Sequence, residues 1–189
     1  MRPPAFIPLS FVLAASACGP AAQTGGAEAA PETVFEEYGV AVRFPAEPAM
    51  STSTYFDFPY TQRDVEVADG SPPSTIYSAT QDNIDYSLTV IPVPDKAERG
   101  ASIMGECIYL TEDSGIDLGV ASLTAGAPDR TVYGLHIAVD LRDNQGRLVT
   151  SCFYENGILY KLEAHVLPAH GNLDAPEAVE FIKSARFLS

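Results

Sequence analysis

Three cysteines, three histidines and a scatter of carboxylates are the residues of this chain able to do covalent or acid–base chemistry. Cys18 stands alone near the N-terminus, while Cys107 and Cys152 form a distant pair. In an oxidising compartment that pair is a candidate disulfide, and its long loop would contribute roughly 4 kcal/mol in a chain-entropy account. The plainer reading is two separate buried thiols packing as small apolar groups. His165 and His170 flank a Leu-Pro-Ala loop close to Asp174, a candidate weak metal site whose spacing fits no established ligand motif. His136 sits inside an alternating segment. Ser151 lacks the Gly-x-Ser-x-Gly elbow of a hydrolase nucleophile. Asp82, Asp85 and Asp143 fall where turns are expected, without the spacing of a calcium loop. The aromatics Tyr55, Phe56, Phe58 and Tyr60 are a candidate partner or ligand surface, or else edge packing. No cofactor motif is present.

The N-terminus explains the isolated cysteine. Arg2 begins a short positive region, and Ala5–Ala17 is almost uncharged, the pattern of a signal peptide over residues 1–17. That run is shorter than the ~20 residues a membrane span needs. Ala15-Ser16-Ala17 fits ordinary signal peptidase, and with Cys18 it resembles a bacterial lipobox, with Ala15 where Leu or Val is usual. Residues 18–33, rich in Ala, Gly and Pro, read as a flexible tether. Cys18 is therefore the expected lipidation site. The expected location is the periplasmic side of the envelope, held to the membrane through that lipid alone, with free periplasmic or secreted protein as the alternative.

Residues 34–189 read as one domain, large enough to bury a core without staples. Across the chain 25 acidic residues face 11 basic ones, a formal charge of −14, which argues against nucleic acid, whose phosphates require clustered Lys and Arg. Within the domain, Tyr38–Pro45, Ser74–Thr80 and Tyr86–Val93 read as strands, and residues 46–73 as an irregular stretch with room for one edge strand. The apolar spacing of Ala97, Ala101, Met104 and Ile108 predicts a helix over residues 95–113. After a linker, three strands follow. Asn156-Gly157 marks a hairpin that pairs Phe153 with Tyr160, Ser151 with Leu162 and Val149 with Ala164. Cys152 then falls opposite Lys161 on the more polar face, so a bridge to Cys107 requires the helix to cover that face. Asp174 is expected to cap a closing helix with Glu177 completing a capping box, and Phe187 and Leu188 to tuck in behind it.

An opening Tyr-Gly-Val-x-Val-x-Phe-Pro strand, a mid-chain helix, the run Gly157–Leu162 and a close in Phe181–Phe187 together resemble the PsbP-like α/β/α sandwich group, which includes small envelope lipoproteins of the DcrB type. The resemblance implies an α+β fold, a largely antiparallel sheet with helices packed on it. It also implies a non-catalytic accessory or binding protein that engages an envelope protein or small ligand, and it carries over no functional residue. Two other functions are open to these residues: a metal-dependent or hydrolytic envelope enzyme, and a thiol redox protein using Cys107 and Cys152.

Overall fold

A computed structural model describes residues 31–53, 73–93 and 115–188. Ten strands make one sheet: β1 (Thr33–Phe35), β2 (Val40–Val42), β3 (Ala49–Ser53), β4 (Ser74–Gln81), β5 (Ile84–Pro92), β6 (Gly115–Gly126), β7 (Thr131–Leu141), β8 (Arg147–Glu155), β9 (Ile158–Val166) and β10 (Arg186–Phe187). Their spatial order is β1-β2-β10-β6-β7-β8-β9-β5-β4-β3, and the sheet curls into a half-barrel. Among the described residues the only α-helix is α1 (Pro176–Ile182). It is far too short to cross a membrane.

The expected α+β sandwich, a largely antiparallel sheet with helices packed on it, is therefore overturned. Two segments account for the difference. The stretch read as a linker before residue 133 is β6, the longest strand. Its small residues show no clear alternation, and a bulge between Asp117 and Gly119 breaks what period there is. Phe187, expected only to tuck in, belongs to β10, antiparallel to β2 and parallel to β6, so the sheet is mixed. The helix expected over 95–113 lies outside the described residues. So do Cys18 and its tether, Cys107, and the aromatics Tyr55, Phe56, Phe58 and Tyr60.

Hairpin chemistry is followed closely. Asp82-Asn83 and Asn156-Gly157 both take positive φ at two successive residues, the twist that two-residue hairpins favour. The β8–β9 register is Phe153↔Tyr160, Ser151↔Leu162, Val149↔Ala164 and Cys152↔Lys161, as the alternation predicts. One face of the sheet carries Leu88, Val90, Phe153, Tyr160 and Leu162 into the main core. There α1 lays down Ala178, Phe181 and Ile182, with Phe181 edge-on to Phe44 at 5.0 Å and to Tyr86 at 5.1 Å. Gly134 is needed here, because a Cβ at that position would meet the Phe153 ring at 2.5 Å. On the opposite face Ile137, Val139, Thr150, Cys152 and Leu159 are also buried.

Asp174 does not cap α1. The N-cap is Ala175, with no side-chain cap bond. Asp174 instead pairs with Arg147, whose guanidinium also grips Asp140 through Nε at 2.7 Å and Nη2 at 3.3 Å. The helix begins one residue later than expected, which leaves Asp174 outside the cap position and its carboxylate on Arg147.

Candidate functional site

Four stretches of chain meet at the end of the sheet where β1 turns into β2 and β8 into β9. After Phe35, residues Glu36–Tyr38 form a single 3-10 turn closed by Gly39. Three phenols fasten that turn. Tyr160 Oη donates to the Tyr38 carbonyl at 2.6 Å, Tyr77 Oη donates to Glu37 Oε1 at 3.0 Å, and Tyr38 Oη bonds Thr75 Oγ1 at 2.8 Å. Burial, then the Glu37 carboxylate, holds the Tyr77 phenol far above the ordinary tyrosine range. Burial, with the nearby Glu155 charge, pushes Tyr160 up to about 12. Both stay protonated as donors.

Between this turn and the Asn156-Gly157 hairpin lies a cleft of about 210 Å³, walled by Tyr38, Tyr160, Ile158 and Phe187 and edged by Glu37, Glu155 and Arg130. Arg130 spans the mouth, with Nη2 2.7 Å from Glu155 Oε1 and Nη1 3.1 Å from Asp129 Oδ1. The Phe187 ring lies 5.1 Å from Tyr160 and 5.6 Å from Phe153, which ties β10 to the floor. Of the charged groups at this cleft, Glu37 accepts from Tyr77 and Glu155 pairs with Arg130.

A second hollow, of about 320 Å³, lies at the opposite end of β5 and β9 and includes Asp85, Ser87, Leu148, Glu163 and His165. Here Asp85 accepts from Thr80 Oγ1 at 2.7 Å, and Lys161 Nζ sits 2.7 Å from Glu163.

The histidines singled out from the sequence go separate ways. His165, on β9, donates Nε2–H to the Gln145 carbonyl at 2.8 Å. His170 ends a 3-10 turn (Pro168–His170) and donates Nδ1–H to the Asn172 carbonyl at 2.7 Å. Among the described residues no three His, Cys, Asp or Glu side chains gather as a metal site would require. Ser151 faces the core and donates to the Ile182 carbonyl at 3.0 Å. Cys152 is fully buried on the opposite face.

The cleft residues were not singled out from the sequence, because they come from separate turns and no spacing relates them. The local signals were only Gly39 and Asn156-Gly157, which mark where turns gather.

The sequence matches no protein-family model and no curated protein. Among solved structures the fold is similar to the solution structure of cyanobacterial PsbP (CyanoP) from Synechocystis sp. PCC 6803. The TM-score is 0.50 at 12% identity, over 89% of this chain and 99% of that one. At that identity the likeness concerns the fold alone.

Proposed function

We propose that this chain is an exported, lipid-anchored accessory module on the periplasmic side of the bacterial cell envelope, working by binding a partner at the loop-end cleft. The observation that supports it most is the cleft's position along the chain. Its rim at Glu37–Gly39 follows within a few residues of the tether, and the tether's root is fastened by Glu32 to Arg186, at 2.6 and 3.1 Å. Fully extended, a tether from Cys18 reaches about 50 Å, and as a coil about 20 Å, so the cleft would stay close to the membrane surface. The PsbP-like fold and the resemblance to DcrB-type envelope lipoproteins agree with an accessory role.

In the same reading Cys107 and Cys152 form a structural disulfide. Cys152 is fully buried, on the face of the sheet opposite α1 and beside Leu159. A sulfur so enclosed suits a staple better than a redox centre, which needs an accessible thiolate.

The intact mass of protein extracted from its native membrane fraction tests the anchor. The expected species is Cys18–Ser189 carrying a diacylglycerol and an acyl group. An unlipidated species confined to the soluble fraction would refute the anchor.

A further inference from the structure

We propose that the loop-end cleft is a socket for one basic side chain, lysine or arginine, presented by a protein partner. This deepens the binding reading above and rests on it.

Size comes first. Small-molecule sites enclose about 300–1,000 Å³, and this cleft offers about 210 Å³, which suits a single side chain better than a whole metabolite. The walls come next. Half-buried Tyr38 and Ile158, over a buried floor of Tyr160 and Phe187, give a ring and an aliphatic surface, the surroundings that an alkyl stem covers while its charged head stays at the rim. Tyr38, the half-buried ring of the cleft, adds an electron-rich face that attracts ammonium and guanidinium groups. Charge then decides the sign of the guest. Glu37 and Glu155 outnumber Arg130 at the edge. Arg130 already shows the mouth accepting a guanidinium, and its sharing between Glu155 and Asp129 leaves it poorly placed to capture an anion. A carboxylate-bearing guest would also have to approach against the field of a chain of net charge −14, which steers cations inward.

The test uses the full chain in a mild detergent, labelled for amide NMR. It is titrated separately with N-acetyl-arginine methylamide, N-acetyl-lysine methylamide, the uncharged norleucine analogue and the acidic glutamate analogue. The basic probes should shift the amides of Gly39, Asn156, Gly157 and Leu188 with Kd on the order of 1 mM, and the other two should not. Glu155→Gln should weaken the basic probes by about tenfold or more, the scale of one charged hydrogen bond. Arg130→Gln should leave them equal or tighter, because it frees Glu155. No shift from the basic probes, equal shifts from norleucine, or a glutamate response abolished by Arg130→Gln would each overturn the proposal. Because lipidation is read by mass and the socket by these shifts, the two can fail separately.

Discussion

Ser151 is a polar side chain inside the core, and its reason is at the end of α1. Its hydroxyl donates to the Ile182 carbonyl, one of the acceptors a helix leaves open at its C-terminus. Ser151→Ala should cost about 1–3 kcal/mol in urea unfolding, since it strands a buried carbonyl. A loss below a few tenths would mean that the carbonyl finds another donor. His136 makes a different contribution. Its Nδ1–H donates to the Thr150 carbonyl at 3.1 Å. Burial, assisted by the Lys183 charge and opposed by that bond, holds the imidazole below its ordinary 6.5. The unfolded chain therefore takes up this proton first as pH falls through 6.5, and folded stability drops from there toward the lower folded value and is level above it. Wild type should lose more stability than His136→Gln between about pH 7.5 and about pH 5.5; equal losses would remove His136 from the account. Neither role is legible in sequence, because each depends on a partner from another element.

Local signals fared better for elements. The Asn156-Gly157 turn carried enough information to set the pairing of β8 with β9, because a two-residue turn leaves only one register. Gly157 sits at φ 77° with nothing near an added Cβ, so the cost of replacing it is conformational and free of clash. Gly157→Ala should destabilise by roughly 1 kcal/mol, a left-handed residue's penalty, with the chemical shifts of α1 unchanged. A stability equal to wild type would mean that the turn relaxes to another type. β6 and β10 were hidden for opposite reasons. β6 is long but built of small residues around a bulge, so neither face announces itself. β10 has two residues, too few for any period, and exists only because β2 and β6 present their edges to it.

For the whole molecule, the hydrophobic alternation indicated a sheet, and the described strands form one, in a fold similar to that of cyanobacterial PsbP. The mixed sheet order and the cleft were not legible, since both arise from contacts between segments far apart in the chain. If the proposed staple exists, peptide mapping without reductant should give one linked pair containing Cys107 and Cys152, resistant to alkylation until the chain is unfolded. Rapid alkylation of both in the folded state would refute it. Finally, β1 and β2 join the rest of the sheet only through β10, and the Glu32–Arg186 pair beside that junction links residues 154 apart in sequence. The backbone ladder that joins β1 and β2 to the sheet is therefore complete only with residues 186 and 187, although Tyr77, Thr75 and Tyr160 hold the intervening turn through their side chains. If the chain is exported as proposed, N-terminus first, its sheet would still lack the β10 junction until the other described strands have crossed.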